Sequence, residues 1–473
     1  MKNNLHKIGV ILLLVVLMLI GLHYVPSLAI GDYKTRNVDI LSDLRHKEKT
    51  ETVTPVDVLP IDSILINDTT EILLEDVPAP EDIIIAYTDT CEGGVTCIED
   101  YSDSTQRGMQ PFYRALDRAG NGTVRIAYFG DSFIEGDIFT ADLRSFLQQQ
   151  YGGCGVGFVP IHTASSGARV SVRQEAEGWE NHSIMDTKDF NHAKQDIANR
   201  YFIPQAEASF TLQGQKRFYS HLDRCDKASF FFRTDSAVHV LADVNGAQAL
   251  DQVYGSDRLS VAEVHGNISS VTFRVMAADT SAVFYGASMD GASGISLDNF
   301  AMRGASGLNL RSVPVRTMKA FNAVRPYDLI VLQFGLNVAS QEMTDYSGYA
   351  KGMRAVISHL KECFPEAGIL VVSVADRDYK TEDGEILTMP GIKSLVTYQK
   401  KLAADERVAF WNMFVAMGGD GGMRQLVEAN PPMANQDYTH INSRGGRHMA
   451  KMLFDAMQYG KSKFDETASH EAY

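Results

Sequence analysis

A short apolar run, Arg125-Ile-Ala-Tyr-Phe129, breaks off at Gly130-Asp131-Ser132. Its length, its composition and the turn signal that bounds it predict a buried strand. Ser132 then lies just past the carboxyl end of that strand, where open α/β sheets build their sites. The same alternation returns from residue 326. Asp328–Phe334 and Ala367–Ser373 read as buried strands, and Tyr349–Leu360 carries helical spacing between them. A strand–helix–strand order demands a crossover and therefore a parallel sheet. The fold class is α/β.

A serine hydroxyl is a poor nucleophile at neutral pH and needs a base, which in turn needs an orienting acid. His440 qualifies as the base, with Asp437 three positions before it. The segment from Ser443 to Met457 has apolar residues at helical spacing, with Asn442 or Ser443 as N-cap. The Asp-x-x-His pair thus lies on the loop entering a C-terminal helix. A tetrahedral intermediate also requires preorganised donors for its oxyanion. The backbone N–H of Ser132, that of Gly304 or alternatively Gly307, and the side-chain amide of Asn337 are the candidates. Taken singly, each motif is ordinary. Gly-Asp-Ser is common turn chemistry, loop histidines are often surface residues, and Asn337 would serve equally as a helix cap. Their joint occurrence in one order, with Ser132 and Asn337 each following an apolar strand, carries the reading.

That order resembles the SGNH (GDSL) hydrolase family. Gly130-Asp131-Ser132 matches its first block, Met302–Gly307 its glycine-bearing second block, Gly335-Leu336-Asn337 its third, and Asp437 with His440 its last. The resemblance covers roughly residues 120–160 and 300–458. Val338 departs from the pattern, standing where the third block usually carries an aspartate. The resemblance implies a three-layer, flavodoxin-like parallel sheet. It also implies a serine esterase with Ser132 as nucleophile, His440 as base, Asp437 as its orienting acid, and no metal or cofactor. The implied substrate is an O-acylated polysaccharide or another ester. A lipid or thioester hydrolase, an O-acetyltransferase of the same fold, and a non-catalytic polysaccharide-binding envelope protein are the alternatives.

Between the first and second blocks, residues 165–295 change character. Ala228–Arg233, Ala237–Ala242, Ser270–Val275 and Ala282–Tyr285 are short β-rich runs divided by turn residues. This predicts a β-sandwich inserted into the hydrolase domain, which would span 106–164 and 296–473. Some envelope esterases of the family carry a carbohydrate-binding-like β-domain there, so the insert is either such a domain or purely structural. After Ser132, Leu143, Phe146 and Leu147 make one helical stripe, with Asp137 or Thr140 as N-cap. The glycine-rich Gly152–Gly157 lacks the lysine and the following helix that phosphate binding needs. Asp376-Arg377-Asp378 follows a strand and reads as an ion-paired turn or a cleft wall.

Lys2 and Lys7 precede an apolar run from Ile8 to Leu22, and Ser27-Leu28-Ala29 offers a cleavage site. Residues 1–29 are a signal peptide or an uncleaved signal anchor, so export to the periplasm or cell envelope is expected. Residues 30–105, rich in Pro, Thr and acid, read as an extended tether, the alternative being edge strands on the catalytic domain. The formal net charge of −15 argues against nucleic acid or an anionic membrane surface as partner, leaving the N-terminal segment as the membrane contact. Five cysteines are too few for a disulfide framework, although Cys91 and Cys97 can close a small loop in an oxidising compartment. No histidine or cysteine spacing suggests a zinc site.

Overall fold

The computed structural model describes residues 29–30, 33–34, 91, 94–102, 107–186, 190–217 and 219–471. The expected signal or anchor lies outside these residues except for Ala29, which with Ile30 pairs antiparallel to Tyr33–Lys34. Most of the expected tether also lies outside them. Its last part is not a tether. Ile98–Asp100 forms strand β1 at the edge of the parallel sheet, and Trp411 Nε1 donates to the Thr96 carbonyl at 3.1 Å. Cys91 and Cys97 are joined by a disulfide just ahead of it.

The parallel sheet has six strands. Besides β1 they are β2 (Thr123–Gly130), β10 (Gly294–Ala301), β11 (Leu329–Gln333), β12 (Gly368–Val372) and β15 (Ala409–Trp411). The spatial order is β10-β2-β11-β12-β15-β1, with every pairing parallel except that of β1. Counting the parallel strands in chain order, this is 2-1-3-4-5, the flavodoxin-like arrangement. The order reverses at β2, so the carboxyl ends of β2 and β11 flank the natural crevice. β11 and β12 are buried at every position, as strands covered on both faces must be. Helices α1 (Gln110–Asp117), α2 (Thr140–Tyr151) and α8 (Ser443–Glu471) pack together along the sheet. A second set is α3 (Val315–Val324), α4 (Ser347–Cys363) and α5 (Pro390–Asp405). Among the described residues no helix is long and apolar enough to cross a membrane.

The connection from β2 to β10 contains α2 and then six antiparallel strands and one short entry strand. These are β3 (Gly157–Pro160), β4 (Val172–Ser183), β5 (Arg200–Gly214), β6 (Cys225–Val244), β7 (Ala247–Ile268), β8 (Ser270–Ala278) and β9 (Val283–Asp290). They form a single seven-stranded sheet. The two runs Ala228–Arg233 and Ala237–Ala242 are halves of the one strand β6. Its first half pairs with β9 and its second with β8. Phe230 in the first half stacks on Phe273 of β8, with ring centroids 4.9 Å apart. The sheet is therefore folded over its own phenylalanine core, which Phe210, Phe232 and Phe284 complete. The layering expected of a sandwich is made by one continuous sheet. Strands β4, β5 and β7 left a weaker trace in the sequence because their outward faces are polar or charged.

The expected N-caps of α2 do not cap it. Phe139 occupies that position, and Asp137, with φ +64°, turns inward. There its carboxylate meets Arg144 at 3.3 Å and Arg169 at 3.0 Å and accepts from Thr140 and Asn299. The Gly152–Gly157 turn is also structural. A Cβ at Gly155, where φ is +80°, would lie 2.2 Å from the Met289 carbonyl oxygen.

The two sheets are joined by a buried ion cluster. Arg325 donates twice to Asp298, at 2.5 and 2.7 Å, and twice to Asp290, at 2.7 and 2.9 Å. Asp290 ends β9 and Asp298 lies on β10. Burial lifts the Asp290 carboxyl, but Arg325 outweighs it and holds that carboxyl far below the usual range. Truncating the cation would leave two buried carboxylates uncompensated. Arg325→Met is expected to cost about 3–5 kcal/mol of unfolding free energy. Urea titration followed by tryptophan fluorescence measures it, and a loss under about 1 kcal/mol would contradict the cluster's role.

Candidate active site

β2 ends at Gly130, and the chain turns at once because Phe133 N–H donates to Asp131 Oδ1 at 3.0 Å and Ile134 N–H to the Asp131 carbonyl. The turn projects Ser132 from the carboxyl end of the strand. Across 308 residues of chain, its Oγ lies 3.0 Å from His440 Nε2. His440 Nδ1 lies 2.8 Å from Asp437 Oδ2. The three residues singled out in the sequence are one hydrogen-bonded relay.

The loop that carries the histidine is tightly tied. Asp437 Oδ1 accepts from the backbone N–H groups of Thr439 and His440, each at 3.0 Å. Tyr438 between them has φ +53°, an uncommon conformation for a non-glycine residue that closes the turn. Asn435 N–H donates to the His440 carbonyl at 2.8 Å, and Asp378 N–H to the Tyr438 carbonyl at 3.0 Å. Helix α8 follows directly, with Asn442 Oδ1 accepting from Arg444 N–H at 2.9 Å and Gly445 N–H at 3.3 Å. Asn442 is therefore the cap. Partial burial raises the Asp437 carboxyl, yet the three hydrogen bonds from His440 and Thr439 outweigh it, and it lies below the usual carboxylate range. Asp437 stays ionised, as an acceptor for an imidazole N–H must.

Two further loops converge on the same end of the sheet. The loop after β10 is pinned to β2 by Met302 N–H donating to the Gly130 carbonyl at 2.9 Å. Both of its glycines have positive φ, +79° at Gly304 and +90° at Gly307. They are not equivalent. A Cβ on Gly307 would lie 2.7 Å from the Phe334 ring, whereas one on Gly304 meets only the end of the Met185 side chain at 3.2 Å. Close packing accounts for Gly307. The loop after β11 carries Asn337, whose Nδ2 donates to the Ala305 carbonyl at 3.1 Å. An amide nitrogen has two N–H donors, so this bond orients the side chain and leaves one for another acceptor. The aspartate missing at 338 is replaced by backbone bonds. Val338 and Ala339 N–H both donate to the Gly335 carbonyl at 2.9 Å, and Gln399 Nε2 donates to the Phe334 carbonyl at 2.8 Å.

Sequence reasoning gave no role to Asp131 or Arg377, and both organise the site. Arg377 donates to the Leu336 carbonyl at 3.1 Å; burial lowers its guanidinium below the usual range, and the nearby Asp437 charge only partly offsets that. The Asp376-Arg377-Asp378 turn is a support for the neighbouring loops. Asp376 accepts from Met423 N–H at 2.9 Å and Asp378 from Arg424 N–H at 2.7 Å. Asp131 is 2% exposed and accepts from Phe133 N–H at 3.0 Å, which closes the serine turn. Burial pushes its carboxyl up to about 6 against that hydrogen bond.

No protein-family model matches the sequence, and no curated protein matches it. Solved structures do match. A peptidoglycan O-acetylesterase superposes with a TM-score of 0.62 at 20% identity, over 77% of this chain and 99% of its own. A family two carbohydrate esterase from Clostridium thermocellum matches over 54% of this chain and 93% of its own, at 11% identity and a TM-score of 0.25. A GDSL-like lipase from Parabacteroides merdae matches over 35% and 73%, at 17% identity and a TM-score of 0.27. The chain has an SGNH/GDSL hydrolase-like fold, with an additional antiparallel sheet in the first crossover.

The raised Asp131 carboxyl has a sign that can be tested. A folded-state value above the unfolded one means that the folded protein holds this proton more tightly. Stability from this group is present below about pH 4 and is lost as pH rises through about 6. Relative to Asp131→Asn, the native chain should lose about 2.4 kcal/mol of unfolding free energy between pH 4 and pH 7. Paired denaturant curves across that range measure the difference, and parallel curves would refute the assignment.

Proposed function

We propose that this chain is an exported serine esterase that removes O-acetyl groups from a cell-envelope or extracellular polysaccharide through an acyl-enzyme. The observation that carries the reading is the Ser132–His440–Asp437 relay, with contacts of 3.0 and 2.8 Å at the carboxyl end of β2. Ser132 Oγ attacks the ester carbonyl carbon, and its proton passes to His440 Nε2. The imidazolium so formed keeps its Nδ1–H on Asp437. Ser132 N–H, Gly304 N–H and the second Nδ2 hydrogen of Asn337 receive the oxyanion. The intermediate collapses, His440 returns the proton to the departing sugar oxygen, and the acetyl group remains on Ser132. Water deprotonated by His440 then releases acetate.

Two observations support the finer points. A peptidoglycan O-acetylesterase has the same fold over nearly its whole length. Export fits the Cys91–Cys97 disulfide and the apolar N-terminal run.

Ser132→Ala and His440→Ala are each expected to lower acetate release from O-acetylated polysaccharide by about 10⁴-fold or more, and Asp437→Ala somewhat less. Undiminished turnover by folded Ser132→Ala protein would sink the mechanism. Asn337→Ala removes one oxyanion donor and should lower kcat by about 10²–10³-fold while sparing KM. On p-nitrophenyl esters, activity is expected to fall from acetyl to butyryl and to vanish at octanoyl. A lipid hydrolase would gain instead, since each buried methylene contributes about 0.8 kcal/mol.

A further inference from the structure

Far from the relay in sequence, the inserted sheet and helix α3 enclose a second cavity of about 380 Å³. That volume lies in the range of small-molecule sites. Its cationic lining is Arg233 on β6, Arg258 on β7 and Arg316 in the first turn of α3, and no carboxylate lines it. The protein as a whole carries a formal net charge of −15, so Arg233 and Arg316 facing one cavity set a local charge of the opposite sign, while Arg258 has a partner of its own. Arg233 is held in place by donating to the Ala193 carbonyl at 3.0 Å. Arg316 is exposed and pairs with no carboxylate among the described residues. Asp196 acts on the same Tyr285 as these arginines, but it is fully buried and accepts from Ala198 N–H at 2.8 Å and Arg200 N–H at 2.9 Å.

The rest of the lining is apolar. Tyr285 and Phe321 are buried, with ring centroids 5.4 Å apart, and Leu259, Ala320 and Val324 continue the surface toward solvent. The wall joins the two parts of the fold, with Tyr285 on β9 and Phe321 on α3. A guanidinium fork matches a carboxylate in two parallel hydrogen bonds, and an apolar wall suits the less polar face of a sugar ring.

We infer that this cavity is an accessory binding site for a carboxylate-bearing glycan segment. A glycan held there would be anchored to the insert and the catalytic domain together, so the insert would bind polymer at its seam with α3 rather than on its free strands. The site stands on its own geometry and does not depend on the chemistry of Ser132.

The full chain is tested by titration calorimetry with tetragalacturonate, neutral chitotetraose and inorganic phosphate. None of these probes carries an ester. The acidic oligosaccharide should bind more weakly as salt rises, and chitotetraose at least about tenfold more weakly than it. Arg316→Gln alters an exposed side chain and should weaken tetragalacturonate binding about tenfold or more, with an unchanged urea midpoint as the fold control. Arg233→Gln should do the same. Failure of tetragalacturonate to bind, equal binding by chitotetraose, or unchanged affinity in Arg316→Gln would each overturn the proposal. Phosphate binding as tightly as the oligosaccharide would reduce the site to one for small anions and overturn the glycan assignment.

Discussion

Arg325 is buried between two aspartates that belong to different sheets, and the geometry of the site depends on that contact. Asp290 ends the last strand of the inserted sheet, and Asp298 lies on the edge strand of the parallel one. Asp298 also accepts from Phe158 N–H at 2.8 Å and from the Tyr327 hydroxyl at 2.7 Å. One cation thus fastens the entry and exit of the insert and the start of β11. A charge this deep is tolerated only because its donors are met by carboxylate and hydroxyl oxygens. The long crossover can then return β10 to its place beside β2 with all eight of its residues in register.

Register at β10 matters because the loop after it carries Gly304. Asn299, near the end of that strand, donates to the Ile134 carbonyl at 2.9 Å and to Asp137 and Thr140. Asp137 in turn engages Arg144 of α2 and Arg169 at the threshold of the insert. This second buried network lies directly beneath the serine turn. The two networks meet β10 at adjacent residues, Asp298 and Asn299, whose side chains leave opposite faces of the sheet. Between them they allow a large insertion in the crossover without loosening the loops that meet at Ser132.

The carboxyls around His440 show how environment separates like groups. Asp437 is half-exposed and receives three hydrogen bonds, so its charged form is favoured. Asp131 is buried one residue before Ser132, and there desolvation prevails. The first is suited to hold an imidazole by its charge. The second holds the serine turn through Phe133 N–H, a task a proton does not abolish.

Much of the site was legible in the sequence because a serine after a strand, an asparagine after a strand and an Asp-x-x-His ahead of a helix are local patterns with local causes. The parallel order of β2, β11 and β12 was legible for the same reason, through apolar runs separated by helical spacing. Asp137 shows where local reasoning stops. Its position before a helix reads as a cap, yet two arginines, one of them 32 residues away, draw it inward. The strands β4, β5 and β7 were faint because a half-solvated strand has no continuous apolar run. The distinction between Gly304 and Gly307 required the Phe334 ring, and the role of Arg377 required the Leu336 carbonyl. Residue types and their order determined which chemistry this chain can attempt. Only the tertiary structure decided which groups meet, because hydrogen bonds and ion pairs across hundreds of residues depend on packing that no short pattern records.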